Sequence, residues 1–267
     1  MKDDNAAFVG SIPEYYDRIL VPLIFEECAK DIASRLQSRV SALLELACGT
    51  GAVTKHLLRA LAADGRIIAT DLNREMLDVA RARVGDTRID WRPANAMDLP
   101  FEDGTFDAVV CQFGWMFFPD KLTALREARR VLKSGGRLLY NVWDRITNCP
   151  VYFEVNSAVH AYFPDDPPTF YDVPFSMFET GEHRRLLAEA GFTNVSVEVL
   201  AYEGARGMAW EMADAIVRGS PAVAEIEQRH GNVAEVVDYI TRRLRNRFGS
   251  APFASPMRAI VCSAVAP

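Results

Sequence analysis

Apolar residues along the chain fall into two alternating patterns. Short unbroken runs predict buried strands, and stripes at three- and four-residue spacing predict helices. The run Ala42–Leu46 predicts a strand. Val53, Leu57, Leu58 and Leu61 form one stripe and predict a helix over 53–62. The alternation continues with a strand at 66–71, a helix at 74–84, a strand at 89–94, a strand at 106–111, a helix at 122–132 and a strand at 137–143. Strands that alternate with helices in this way predict parallel βαβ units and an α/β, doubly wound sheet.

The flanking segments read differently. Ile24, Cys28, Ile32 and Leu36 predict an amphipathic helix over 23–36, with Pro13 and Pro22 separating it from what precedes. Residues 146–178 hold five prolines and many aromatic residues without a clean period, the pattern of a binding lid. A helix at 180–190 stops at Gly191, and Val195, Val197 and Val199 alternate in a strand over 193–202. Residues 204–250 read as helical, and 258–265 as a last strand, antiparallel to its neighbour. The divisions expected are an N-terminal helical cap (1–40), a ligand-binding core (41–145), a substrate-cap insert (146–178), a core helix and strand (179–203), a second helical insert (204–255) and a final core strand (256–267).

Chemistry concentrates at the first strand–helix junction, Glu45-Leu46-Ala47-Cys48-Gly49-Thr50-Gly51. Gly49 and Gly51 permit positive φ and a close approach of ligand to backbone, and the first amides of the helix lack internal partners. The next strand ends on Asp71, 20 residues beyond Gly51, where a carboxylate can hold the hydroxyl pair of a ribose. Asp98 follows the third strand, in Asn95-Ala96-Met97-Asp98-Leu99-Pro100-Phe101, and is expected to accept an adenine amino group. A turn acid is the plainer reading of it. The fourth strand runs into Gln112-Phe113-Gly114-Trp115-Met116-Phe117-Phe118 at the expected switch point of the sheet.

The net charge of −6 over 267 residues disfavours a nucleic-acid-binding surface. Five scattered cysteines (28, 48, 111, 149 and 262), with no Cys-x-x-Cys pair, argue for free thiols in a reducing compartment. The polar start lacks a signal-peptide core, and no apolar run reaches the ~18 residues of a membrane span. A soluble cytoplasmic protein with no metal site is expected; a homodimer is compatible with the sequence.

Together the segments 45–51, 95–101, 106–110 and 132–138, with Asp71, resemble the class I S-adenosylmethionine-dependent methyltransferases, in the small-molecule group that includes quinone-biosynthesis enzymes. The resemblance covers residues 43–143 and departs at Ala47, where many members have glycine. It implies a seven-stranded, mostly parallel, Rossmann-like methyltransferase sheet whose last strand alone is antiparallel, with helical cap inserts. It implies S-adenosylmethionine as cofactor and a small, apolar or aromatic acceptor. By position, Ala47 and Gly49 would lie along the methionine part, with Gly51 shaping the turn. Asp71 would hold the ribose, with Leu72 and Met76 against the adenine. Asp98 would bind the adenine amino group between Ala96 and Met97. Gln112 would face the methionine tail through its backbone, and Tyr16 would cover the site. Asp17, Asp144, Tyr152, His160 and His183 are the candidate bases, none singled out, and Phe113, Trp115, Phe117 and Phe118 a candidate aromatic wall. Two rivals stand beside this reading. A nicotinamide-dependent oxidoreductase is disfavoured because Thr54 stands where a third small residue belongs. A nucleoside-binding protein without methyl transfer would use the same residues.

Overall fold

The computed structural model describes residues 7–36, 40–204 and 206–267. Its centre is a seven-stranded sheet of order β3-β2-β1-β4-β5-β9-β6. The strands are β1 (Val40–Glu45), β2 (Leu61–Asp71), β3 (Ile89–Pro93), β4 (Phe106–Gln112), β5 (Leu132–Trp143), β6 (Thr193–Tyr202) and β9 (Met257–Val265). A two-stranded ribbon, β7 (Arg206–Gly207) with β8 (Phe253–Ala254), stands apart. Within the seven-stranded sheet, among the described residues, β9 alone runs antiparallel, against both β5 and β6. In the middle of the sheet Leu43 pairs with Ile67 on one side and Ala108 on the other. All three side chains are fully buried, as strands covered on both faces require.

Helices cover the two faces. On one, α2 (Glu26–Ser34), α3 (Thr54–Leu57) and α4 (Arg74–Arg83) pack Ile32, Leu57 and Leu77 onto Leu43 and Ile67. On the other, α5 (Lys121–Val131), α6 (Pro150–Tyr162), α7 (Thr180–Glu189), α8 (Ala209–Arg218), α9 (Ala222–Gln228) and α10 (Val233–Phe248) close over Val109, Leu138 and Ile260.

Three elements depart from the pattern read above. Pro22 does not break the N-terminal helix. A short α1 (Ile12–Tyr15) continues into a wider, π-type coil, Tyr16–Phe25, and then into α2. Glu26 N–H donates to Val21 O, five residues back, and this wider winding accommodates a proline that has no N–H to give. The helix expected over 53–62 stops early. Leu61 is already extended and pairs with Val40, so β2 takes the last apolar position of the stripe. The aromatic insert holds the thirteen-residue helix α6. Its period is hidden because Glu154 sits on the core face, where Arg243 (2.8 Å) and Arg247 (3.0 Å) of α10 neutralise it. Among the described residues no helix is long and apolar enough to cross a membrane.

Candidate active site

A cavity of about 760 Å³ opens at the carboxyl ends of β1, β2, β3 and β4, where open α/β sheets bind ligands. Each strand ends there for a local reason. After β1 the chain turns through Ala47 (φ +49°) and Gly49 (φ +54°). Open space lies in front of Gly49, so its missing Cβ serves the left-handed turn and leaves the backbone bare to the cavity. Ala47 occupies the same left-handed region, where alanine is strained by roughly 1–2 kcal/mol. The departure from glycine at this position is therefore less neutral than the small size of alanine suggests. Gly51 does not reach the cavity. A Cβ there would lie 3.3 Å from Trp91, and its φ of +79° shapes the turn from beneath.

Asp71, the last residue of β2, is buried. Its Oδ2 accepts the Gly49 N–H at 2.9 Å and its Oδ1 the Asn73 N–H at 2.8 Å. The carboxylate thus ties the tip of β2 to the turn after β1. Burial raises its proton affinity, and the amides of Asn73 and Gly49 pull it back. Leu72 and Met76 also line the cavity, Leu72 at its rim with 64% of its surface exposed.

After β3 the wall is Ala94–Met97. The Asn95 side chain accepts the Met97 N–H (3.0 Å) and the Asn95 carbonyl accepts the Asp98 N–H (3.0 Å). This tight turn sends Asp98 outward. Asp98 is exposed and absent from the cavity wall, and Asn95 stands where the acid was expected. Ala96 and Met97 line the cavity as expected. Gln112 lines it from the tip of β4, and its buried Oε1 has no partner among the described residues. Phe113 follows in a left-handed conformation (φ +53°), stacked on Trp143 at 3.8 Å.

The other end is apolar. Phe8, Met116, Phe117, Phe118, Val173 and Met177 face it, with Lys121, Asp172, Ser176 and Glu182 among them. Tyr16 closes the cavity from the N-terminal segment, which is fastened by the contacts of Asp17 with Arg83 and Tyr15 with Asp214. Behind Tyr16 and Phe113 a smaller hollow of about 60 Å³ is lined by Trp143, Tyr152 and Phe170. Of the expected aromatic wall, Phe113, Phe117 and Phe118 line the main cavity. Trp115 lies beneath it, stacked on Tyr140 at 4.8 Å.

None of the candidate bases lines the main cavity. Asp17 is paired with Arg83, and Asp144 with Arg258. His183 is locked between the Tyr140 hydroxyl (3.0 Å) and the Met177 carbonyl (2.8 Å), and burial keeps it neutral. His160 is exposed, and Tyr152 reaches only the small hollow. The contributions of Phe8, Asn95, Lys121 and Met177 were not read from the sequence. Pairing across distant loops assembles them, and no local period marks it.

A sheet of order β3-β2-β1-β4-β5-β9-β6, with one antiparallel strand and an acid-ended second strand beside a glycine turn, has the Rossmann-like methyltransferase fold. A Bacillus halodurans protein assigned as a methyltransferase shares this fold at a TM-score of 0.58, with 20% identity over 91% of this chain and 99% of its own. Residues 20–165 match the model of the ubiE/COQ5 methyltransferase family, and the chain belongs to that family. It is 31% identical to the demethylmenaquinone methyltransferase of Staphylococcus saprophyticus over 199 residues, 68% of this chain and 84% of that one. To the ubiquinone/menaquinone biosynthesis C-methyltransferase UbiE of Hahella chejuensis it is 40% identical over 112 residues, 40% of this chain and 45% of that protein. The chain thus spans about half the length of the curated relatives it matches at such identities.

Proposed function

We propose that the protein transfers the methyl group of S-adenosylmethionine to a carbon of a small, flat, quinone-like acceptor in its reduced, hydroxylated form. The observation that carries this reading is that a single cavity joins two unlike halves. One half offers a buried carboxylate, a bare glycine backbone and an unpaired amide oxygen. The other is walled by aromatic and thioether side chains. Its volume lies within the roughly 300–1,000 Å³ of small-molecule sites. The family membership and the names of the relatives point the same way.

The residues suit the cofactor. Asp71 retains acceptor capacity for a ribose: a carboxylate offers about four acceptor sites, the Gly49 and Asn73 backbone amides fill two at short range, and the Asn73 side-chain amide takes a third only at 3.4 Å. The Ala96–Met97 wall and Met76 make an apolar slot for the adenine. Gln112 Oε1 is a buried acceptor that lacks a donor among the described residues, and the ammonium of a methionine tail would supply one. S-adenosylmethionine brings a methyl group already activated on a positive sulfur. The chain's own task is then placement and exclusion of water. Alignment in a bound pair can supply about 7–11 kcal/mol. Phe8 and Tyr16, packed edge to face at 6.0 Å, cover the site from the N-terminal side, and the Tyr16 and Phe113 rings can face a cation.

The test is incubation of the purified protein with methyl-labelled cofactor and a panel of reduced benzoquinones and naphthoquinones. Label should enter the reduced rings and not the oxidised ones. Tight binding of S-adenosylhomocysteine with no transfer to any ring would favour a nucleoside-binding protein instead.

A further inference from the structure

Lys121 is the first residue of α5. Asp120 caps that helix, accepting the Thr123 N–H at 2.9 Å, so the backbone beneath the lysine is fixed. Its Nζ donates to the Phe118 carbonyl at 2.7 Å and to the Met116 carbonyl at 3.1 Å. The side chains of Met116, Phe117 and Phe118 line the apolar half of the cavity, and Lys121 lines it too. Wall and ammonium are therefore one rigid unit. An ammonium has three N–H donors. Two are spent on carbonyls, and among the described residues Lys121 forms no ion pair. Glu182 and Asp172 lie on the same lining without closing on it. Burial works against the charge on Lys121, while Glu182 and Asp120 help to keep it. A part-buried cation held by carbonyls, with one donor left, stands in this half of the lining, rich in rings and thioethers, where Asp172, Ser176 and Glu182 are the other polar side chains.

We propose that Lys121 binds the hydroxyl oxygen of the acceptor as an oxide and holds it at the third N–H. The inference rests on the methyltransferase reading above. The hydroxyl proton leaves to water at the open mouth beside Glu182. The oxide enriches the neighbouring ring carbon in electrons. That carbon's electron pair forms the bond to the methyl group while the pair of the sulfur–methyl bond stays on sulfur. The ring carbon then gives its proton to water and aromaticity returns. An opposite charge in contact lowers the pKa of such a hydroxyl by about 1–3 units, a tenfold to thousandfold gain in oxide.

The experiment uses the full chain saturated with S-adenosylhomocysteine and 4-nitrocatechol as a coloured probe whose protonated and oxide forms absorb differently. Wild type should bind the probe with its apparent pKa lowered at least tenfold in proton affinity. Lys121→Met and Lys121→Gln should lose that shift, Lys121→Arg should keep most of it, and all should bind S-adenosylhomocysteine within twofold of wild type. Lys121→Gln retains a donor for the two carbonyls, so it remains informative if the methionine variant does not fold. A probe spectrum unchanged by either substitution overturns the proposal, as does a probe that wild type does not bind. A parallel loss of S-adenosylhomocysteine affinity also overturns it, because Lys121 would then serve the cofactor's carboxylate. Failure of wild type to bind S-adenosylhomocysteine at all sinks the underlying methyltransferase reading as well.

Discussion

Asp71→Asn separates the two duties of the acid that ends β2. In the native chain Oδ2 takes the Gly49 N–H at 2.9 Å and Oδ1 the Asn73 N–H at 2.8 Å. An asparagine keeps the shape but turns one oxygen into an NH₂ group, and either orientation sets that group against a backbone N–H. The residue also loses the charge that would hold two ribose hydroxyls. A hydrogen bond to a charged partner contributes about 1.5–3 kcal/mol. The affinity for S-adenosylhomocysteine should therefore fall roughly 10- to 150-fold. The stability loss should be smaller, because removing a charge whose proton affinity burial already raises relieves part of its desolvation. Isothermal titration calorimetry reads the affinity, and thermal unfolding the stability. Protonation removes the acceptor. The affinity of wild type should thus decline as pH falls through the raised pKa of Asp71, above the ~3.9 of an exposed aspartate. A folded Asp71→Asn protein that binds within twofold of wild type would refute the assignment of Asp71 to the ribose.

Two further outcomes follow from the same turn and strand. A Cβ on Gly114 would lie 2.4 Å from the Ala47 Cβ and 2.8 Å from the Cys111 sulfur, so Gly114→Ala should cost about 1–3 kcal/mol and lower the melting temperature by several degrees. Adding Ala47→Gly should recover part of that loss, and a double variant no more stable than the single would contradict the contact. Glu45 is buried in β1, and burial pushes its carboxyl up to about 8 from an ordinary 4.5. The folded chain therefore keeps this proton over a pH range where the unfolded chain has released it. Its contribution to stability is fullest below about 4.5 and is lost as pH rises toward about 8. Glu45→Gln should flatten that decline in urea unfolding measured between pH 5 and 8.5, and an unchanged slope would show that Glu45 is not the group responsible.

Much of this architecture is written in local pattern. The strand runs, the glycine turn and Asp71 are short-range features; each expected strand core lies within an observed strand, although β2 starts at Leu61 and β5 at Leu132, ahead of the apolar runs that marked them. Tyr16, Ala47, Gly49, Leu72, Met76, Ala96, Met97 and Gln112 line the cavity. The misreadings share one cause. Asn95 and Asp98 are both polar residues in one turn, and only the hydrogen bonds from Met97 and Asp98 back to Asn95 decide which of them faces in. Pro22 looked like a break because a proline in an α-helix costs a hydrogen bond, whereas the π-type coil shifts the bonding by one residue. Glu154 masked the period of α6 because its counter-charges, Arg243 and Arg247, come from a helix about ninety residues on. Lys121 sits in an unremarkable helix start, and its importance depends on carbonyls that the 3₁₀ turn at 115–117 presents to it.

The central claim is spatial: the tips of β1, β2 and β4 and the loop after β3 together hold the nucleoside, and the aromatic half beside them holds the acceptor. A crystal structure of the protein grown with S-adenosylhomocysteine tests it most directly. Density should show the ribose hydroxyls on Asp71, the adenine along Ala96 and Met97, the amino-acid tail at Gln112, and the sulfur turned toward the Phe117–Lys121 side. Density for the ligand elsewhere on the molecule, or its ribose more than hydrogen-bonding distance from Asp71, would contradict it.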